Sequence, residues 1–462
     1  MRARGDAPGQ AGTPRSPGSA RRREKRIRGR EGVALVIAMT AISILSVMLA
    51  DMHANTSTAY VVSTSQRDRL QAEYMAKSGL TLTRLLIARE PELRLLVAPM
   101  LQMFTGKAPS QIPVWKFANP LLLPFCDLEG AKEAAGGAMS TESTKGLGKT
   151  PGTCEINAFS ENSKVNVSDP LLLDGERASR SVAMQLFSLL GGYQNPSPYD
   201  PLFTGRDADG NLSTRLDIVS AMIDWWDIDT SRTVFDPTSR QVSSAGAETD
   251  IYSNFKDPYK AKNAPFDSIE EIRLVQGVGD DFWATFVEPD PEDPSSRTLT
   301  IYGSGAVDPN EAPPEVMLSR ICSLLVDQSL CSDPIESSKF VQLMHTVRAL
   351  APVPCFSTPA SFLDFLEGKG NEKELYSMLK KFLGPDNPLL FRPIVIRADL
   401  RPEVEGSFST ISRIISIQSE GRVGNSRVRL RAVVNFDERW TPPPPNAGSM
   451  PGLGVVQHYR AD

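Results

Sequence analysis

Acidic side chains crowd one region of the sequence, and they are the residues there best suited to bind an ion. Asp224, Asp227 and Asp229 follow one another closely, and Glu248 and Asp250 come a short distance later. Carboxylate oxygens are hard ligands, and calcium takes about six to eight such oxygens. The spacing fits a calcium site, and it fits a solvated acidic loop without an ion at least as well.

Residues for other kinds of chemistry are scarce. The three histidines, His53, His345 and His458, are scattered, and none of the five cysteines forms a Cys-x-x-Cys pair, which argues against a zinc site. No Ser/His/Asp arrangement or phosphate-binding glycine loop is evident. With 50 basic against 55 acidic residues, the chain is neither a strongly basic nucleic-acid binder nor a highly charged disordered protein. We therefore expect no enzyme.

The N-terminal region has the charge pattern of a membrane anchor. Residues 1–32 carry ten basic side chains, and the uncharged stretch Val33–Ala50 follows, closed by Asp51. Such a stretch is long enough for one membrane-spanning helix. The positive-inside rule then predicts a cytoplasmic N-terminus, with residues 51–462 outside. The alternative is a cleaved secretory signal peptide, but the apolar run is longer than the usual ~7–15 residues and no small-x-small cleavage site ends it.

The same helix should continue beyond the membrane. From Asp51 to Glu90 there is no proline and one glycine, Gly79, and apolar residues recur at helical spacing. We predict one helix from Val33 to about Arg89, on the order of 85 Å long, which ends before Pro91.

Two segments carry a resemblance to a known family. The first, at residues 28–37, reads Arg28-Gly29-Arg30-Glu31-Gly32 and then Val33-Ala34-Leu35-Val36-Ile37, and it resembles the leader and helix start of type IV pilin-like proteins. This resemblance implies that a prepilin peptidase cuts after Gly32 and that Val33 becomes the methylated N-terminus. Most pilins have Glu where this chain has Ile37, and the member that lacks it is minor pseudopilin K of type II secretion. A carboxylate inside a membrane is costly unless it is paired, and in a filament it can pair with the terminal amine of a neighbouring subunit. A subunit with no further subunit above it in the filament has no use for that pairing.

The second segment, residues 218–278, resembles the K family more specifically. It contains runs similar to Asp-Trp-x-Asp, Gly-Ala-Glu-x-Asp-x-Tyr and Asn-x-Pro-Phe-Asp-Ser, at Asp224–Asp227, Gly246–Tyr252 and Asn263–Ser268. Residues 161–167 and 308–316 are also similar to family segments, with departures at Ser163, Asp308 and Glu311. The resemblance implies calcium among the five acidic residues.

The predicted fold class is α+β: a long N-terminal pilin-type helix with a small antiparallel sheet, and a large, mainly helical domain inserted in it. Helical spacing is seen at 178–190, 214–226, 267–276, 315–327 and 337–349. Strands are expected at 154–159 and 165–167, as one short pair, and at 409–419 and 427–436, as a hairpin. The predicted divisions are a leader at 1–32, a helix at 33–90, a first part of the pilin-like domain at 91–169, the insertion at 170–385, C-terminal strands at 386–440 and a disordered tail at 441–462.

The resemblance also implies a function, that of a minor pseudopilin that caps the tip of the periplasmic pseudopilus and helps to start its assembly. The implied partners are other minor pseudopilins, the prepilin peptidase, the inner-membrane secretion assembly and secreted substrate proteins, and no nucleic acid. The implied location is the bacterial inner membrane, single-pass, with the bulk of the chain in the periplasm. We expect Leu80, Leu82 and Leu86 to contact the partner pseudopilins.

Two other functions fit parts of the sequence. Gly277-Val278-Gly279 between two predicted helices resembles half of a DNA-binding helix-hairpin-helix, but residues 200–300 hold twenty acidic against nine basic side chains, which would repel phosphate. A membrane adaptor that keeps its N-terminal segment is the other alternative, because the membrane span would serve it equally well.

Cysteine pairing depends on the compartment. Outside the cytoplasm Cys126 could pair with Cys154 and Cys322 with Cys331, which would leave Cys355 free. Buried thiols are the alternative, and spacing alone does not decide connectivity.

Overall fold

The computed structural model describes residues 24–105, 108–126, 152–168, 175–205, 212–248, 252, 258–350, 354–369, 375–384, 387–437 and 452–461. These residues belong to two compact units, Met1–Asp68 and Arg69–Asp462.

The described part of the first unit is helical. Helix α1 (Glu24–Ala88) begins before the predicted Val33, because residues 24–31 are mostly strong helix formers and include no proline. The apolar side chains from Val33 to Leu49 are exposed. Among the described residues, the segment Gly32–Ala88 is the one helix long and apolar enough to cross a membrane.

The second unit begins with the last part of α1 and the short helices that follow it. Helix α1 ends at Ala88, one residue before the predicted end, and α2 (Glu90–Thr105) begins at once with Pro91 in its first turn, where a missing N–H costs little. Helix α3 (Ala118–Cys126) comes next, after a short 3-10 turn at Val114–Phe117.

A four-stranded antiparallel sheet packs against α1. Its strands are β1 (Thr153–Ser160), β6 (Ile414–Val423), β7 (Ser426–Asn435) and β8 (Val455–Ala461), in the order β1-β6-β7-β8. Alternate residues of β7, from Val428 to Val434, face the α1 core, as the period-two pattern predicts. Gly421 lies against the backbone of α1: a Cβ atom there would lie 1.9 Å from the Ala72 carbonyl oxygen. The helix therefore approaches this sheet more closely than a side chain at that point would allow.

The first two predicted strands are present, but their predicted pairing with each other is wrong. The segments 154–159 and 165–167 do not pair with each other, because a 3-10 turn at Glu161–Ser163 redirects the chain. Strand β1 pairs with β6, while β2 (Val165–Asn166) pairs in parallel with β5 (Leu299–Thr300).

The predicted disordered tail also contains a strand. Residues 441–451 lie outside the described part of the chain, but β8 pairs with β7. The Arg84 guanidinium donates hydrogen bonds of 2.9 Å to the carbonyls of Leu453 and Gly454 just before β8. The proline-rich composition concealed a short β-forming run that gains its hydrogen bonds from the edge of β7.

The mainly helical insertion lies between β1 and β6. Its α-helices are α4 (Gly175–Leu189), α5 (Asp200–Thr204), α6 (Arg215–Trp226), α7 (Asp280–Phe282), α8 (Pro314–Leu324), α9 (Ser329–Ser332), α10 (Pro334–Leu350), α11 (Pro359–Leu366), α12 (Leu375–Leu383) and α13 (Arg401–Gly406). The predicted helix at 267–276 is a 3-10 helix, Ile269–Leu274. The sequence reasoning missed the hairpin of β3 (Ser231–Asp236) and β4 (Gln241–Ala247). A single apolar core unites these elements and buries Trp225 and Trp226.

The two ends of the insertion meet at the sheet. The hydroxyl of Ser160 donates to that of Ser412 at 2.7 Å. The side-chain oxygen of Asn162 accepts hydrogen bonds from the backbone N–H groups of Arg413 and Ile414. The chain therefore enters and leaves the insertion at one place.

Candidate functional site

Helix α6 and the β3–β4 hairpin bring the acidic residues together. Thr214 and Asp217 form a capping box that starts α6, and the helix is buried from Ile218 to its end. Asp224 therefore lies inside the fold, although it is a carboxylate. Asp227 ends the helix as its C-cap.

The hairpin closes the site from the other side. Asp229 lies in the turn between α6 and β3, and the Ser231 N–H donates to its carboxylate. Glu248 follows β4, and its backbone N–H donates to the Thr230 carbonyl at 3.3 Å. These bonds bring a residue distant in sequence beside the end of α6.

The carboxylates are close enough to share one ion. Asp227, Asp229 and Glu248 each offer an oxygen, and these three oxygens lie within 4.8 Å of one another. Calcium–oxygen distances are about 2.3–2.6 Å, so two ligands of one ion lie up to about 5 Å apart. The arrangement thus has the dimensions of a calcium ligand set.

Several oxygens in this group have no hydrogen-bond partner. Asp224 is 1% exposed; its Oδ1 accepts the Thr233 N–H at 2.7 Å, but its Oδ2 has no partner among the described residues. The same holds for Asp227 Oδ1 and for Oε1 of Glu248, which is 2% exposed. A buried acceptor without a donor is costly, and a cation bound by Asp227, Asp229 and Glu248 would satisfy oxygens of Asp227 and Glu248, whereas Asp224 does not belong to the three residues whose oxygens lie that close together.

The electrostatics favour the same conclusion. Burial raises the pKa of Asp224 to about 6. Burial, and then the neighbouring Asp229, Asp224 and Glu248, raise the pKa of Asp227 to about 8. Burial and then Asp224 raise the pKa of Glu248 to about 7. Crowded carboxylates repel one another when ionised, and a divalent cation reverses that repulsion.

The structure adds one residue to the predicted set and leaves another undescribed. The Asn263 side-chain amide donates to Glu248 Oε2 at 3.1 Å and to the Asp229 carbonyl. Asn263 begins the run that resembles the family's Asn-x-Pro-Phe-Asp-Ser motif, but it was not among the predicted ligands. Asp250 lies outside the described residues.

The predicted partner-binding leucines lie elsewhere than expected. Leu80 is buried in the core between α1 and the sheet, and Leu82 and Leu86 are partly buried against the same core. The helical spacing that predicted a partner surface is equally the spacing of an intramolecular one, so the structure gives these leucines an intramolecular contact, and their contact with partners stays a prediction. On the opposite side of α1, Leu70, Tyr74 and Leu85 are 57%, 68% and 45% exposed. We call these three side chains the outward stripe; they share one helix face with Lys77 and Thr81, which lie between Tyr74 and Leu85.

The remaining predicted residues are placed as follows. Gly32 lies within α1 with open space where a Cβ atom would lie, and Val33 is exposed. The structure joins Cys126 to Cys154 and Cys322 to Cys331 in disulfides, and Cys355 is free. Burial raises the pKa of the Cys355 thiol.

Comparison with known proteins identifies the region around the acidic site. Residues 211–286, which contain all five predicted acidic ligands, match the family model of protein K of the type II secretion system. No curated protein matches the chain. One similar solved structure is the GspK-GspI-GspJ complex of the enterotoxigenic Escherichia coli type 2 secretion system. The TM-score is 0.34 and the sequence identity is 12%, over 67% of this chain and 78% of the other chain. This likeness is too distant to carry an argument. The match covers residues 211–286 of the 462-residue chain and supports the assignment of this region to protein K of the type II secretion system.

Proposed function

We propose that this minor pseudopilin caps the tip of a periplasmic pseudopilus and helps to start its assembly, so that the secretion system can export proteins across the outer membrane. The observation that carries the proposal is the family match over residues 211–286. Its role is structural, and its partners are other minor pseudopilins.

Two features favour an end position in the fibre. The insertion between β1 and β6 is larger than the sheet domain that holds it, and it would obstruct neighbours if it were repeated along closely packed helices. Ile37 stands where most pilins have a glutamate. For a subunit inside the fibre, that carboxylate would pair with the terminal amine of a neighbouring subunit.

The outward stripe of α1 is the proposed contact with a partner helix. One face of this helix packs on its own sheet, and the stripe of Leu70, Tyr74 and Leu85 points away from it. Exposed apolar side chains at helical spacing are the usual anchors of helix–helix contacts between chains.

Charge substitutions test this surface. Tyr74→Asp and Leu85→Asp should abolish co-purification with the partner pseudopilins while the melting temperature changes little. Phe382→Asp is the matched control, because Phe382 is 83% exposed on α12, away from the stripe. Retained co-purification in both stripe variants would remove this surface from the proposal.

Processing and location form a further part of the proposal. The prepilin peptidase cuts between Gly32 and Val33, and the mature chain is a single-pass inner-membrane protein with its bulk in the periplasm. The two disulfides support an oxidising compartment. N-terminal analysis of protein purified from membranes should find methylated Val33, whereas an intact Met1 would favour the membrane adaptor.

Calcium is proposed as a structural ligand of the acidic site. Asp227, Asp229 and Glu248 would hold it, and bound calcium would supply positive charge that offsets their repulsion of one another and of the neighbouring Asp224. It would tie the end of α6 to both strands of the hairpin. This role predicts stabilisation by calcium and no catalysis.

The position in the fibre is tested by imaging. Gold-labelled protein in assembled pseudopili should be found at one end of each fibre. Label distributed along the fibre would contradict tip capping and leave the family membership intact.

A further inference from the structure

A cavity lined by arginines lies at the closed end of the β3–β4 hairpin, at the opposite end from the acidic site. Its volume is about 390 Å³, and Arg180 of α4, Arg240 of the hairpin turn and Arg397 line it together. Glu403 is the one acidic residue among its described lining residues. We propose that this cavity binds an acidic segment of a partner protein through its carboxylates.

The positive charge of the cavity is only partly compensated. The Arg397 guanidinium pairs with Asp399 at 2.5 Å and is 72% exposed, so it forms the rim. Among the described residues, no carboxylate lies within ion-pair distance of Arg180 or Arg240, and Arg240 makes a long 3.5 Å hydrogen bond to the Leu324 carbonyl. Two half-buried guanidinium groups in one cavity repel each other, and an anion between them removes that cost.

The local backbone holds Arg240 in place. Its backbone φ is +57°, in the left-handed region that residues other than glycine or asparagine rarely adopt. The turn is fixed by Asp236, whose carboxylate accepts hydrogen bonds from the Thr238 N–H and the Ser239 hydroxyl at 2.9 and 2.7 Å. Strain that the surrounding structure maintains is often associated with a functional site.

The walls favour a peptide over a small inorganic ion. Between the arginines the cavity is lined by Met184, Leu324 and Val404, which offer an apolar surface. A glutamate side chain has a methylene stem for such a surface and a planar carboxylate that matches the guanidinium fork. The volume is within the range of about 300–1,000 Å³ typical of ligand pockets, and it is larger than one hydrated ion needs.

The inference rests on the cavity alone and is independent of the tip position. It is tested with full-length protein in detergent and a fluorescently labelled hexaglutamate peptide, with anisotropy as the readout. We expect the double variant Arg180→Gln/Arg240→Gln to bind the peptide at least about tenfold more weakly. Arg177→Gln, one turn before Arg180 on the same helix and outside the cavity lining, should bind like the wild type.

Further arms of the experiment separate the possible outcomes. Hexaglutamine should not compete, and inorganic phosphate should compete only at far higher concentration. Arg397→Gln at the rim should weaken peptide binding a few-fold. This single variant provides a second measurement of the cavity's affinity for the peptide if the double variant folds poorly. The proposal is overturned if hexaglutamate does not bind, if phosphate competes equally well, or if Arg177→Gln loses as much affinity as the double variant.

Discussion

The acidic site makes the calcium-free protein sensitive to pH, and Asp224 is the residue that tests this best. Its folded-state pKa, about 6, lies above its ordinary value of 3.8 because it is buried. The folded state therefore keeps a proton that the unfolded state releases, so the contribution of Asp224 to stability falls as pH rises from about 4 to about 6, and Glu248 and Asp227, with pKa values of about 7 and about 8, extend the fall toward pH 8. Asp224→Asn removes the charge and keeps an oxygen that can accept the Thr233 N–H.

The magnitude follows from the pKa. At about 1.4 kcal/mol for each unit of pKa, burying the ionised Asp224 costs roughly 3 kcal/mol. In the presence of a chelator, we expect Asp224→Asn to be more stable than the wild type by up to that amount at pH 8. At pH 4 the two should be about equal. At pH 8 a hundredfold excess of calcium over Kd stabilises the wild type by about 2.7 kcal/mol and the variant by less, so calcium narrows the difference between them.

The assay is urea unfolding followed by tryptophan fluorescence, with calcium or with chelator, at pH 4, 6 and 8. Trp225 and Trp226 are buried between Asp224 and Asp227, so they report on the site. Asp327→Asn, at an exposed position, is the matched control and should show no pH-dependent gain. A chelated wild type whose stability does not fall with pH, or an Asp224→Asn variant that is less stable at pH 8 without calcium, would refute the reasoning.

Two further predictions concern the fold that holds the site. Gly421→Ala would place a Cβ against the backbone of Ala72 and should lower the free energy of unfolding by about 1–3 kcal/mol, whereas Gly406→Ala, with open space around it, should not. Glu161→Gln would leave the Lys164 ammonium charged, buried and without its partner carboxylate, so we expect the free energy of unfolding in chemical denaturation to fall by about 3–5 kcal/mol. The added change Lys164→Met should recover much of this loss. If it does not, the loss has another cause.

Periodicity predicted the parts of the fold whose partners lie nearby in the chain. The helical spacing of apolar residues predicted α6 to within one residue at its start and α1 to within one residue at its end, although α1 begins at Glu24 and not at Val33. The strands were harder. A strand pair depends on a partner that sequence spacing does not reveal, so β1 was assigned to the wrong neighbour and β8 was missed.

The candidate site was predictable as far as its residue types were unusual. Five carboxylates in one region stand out in the sequence, and the structure groups three of their oxygens. Asn263 carries no such signal, because a single amide residue in a loop is common and its left-handed backbone is visible only in three dimensions. The direction of Leu80 could not be decided either, since spacing defines a face of a helix and does not say which chain covers it.

The shared entry and exit of the insertion has a consequence for how the chain folds. Strands β1 and β6 are neighbours in the sheet, yet the whole insertion separates them in sequence. If they paired first, they would have to close a loop of that length. If the insertion folds first, Ser160 and Ser412 are already close together. The entropy cost of closing the long loop is then offset by the free energy that the insertion gains when its own core forms. Since each doubling of loop length adds about 0.6 kcal/mol, this order lowers the barrier to sheet formation by a few kcal/mol. The insertion would then act as the folding nucleus for the smaller domain that surrounds it.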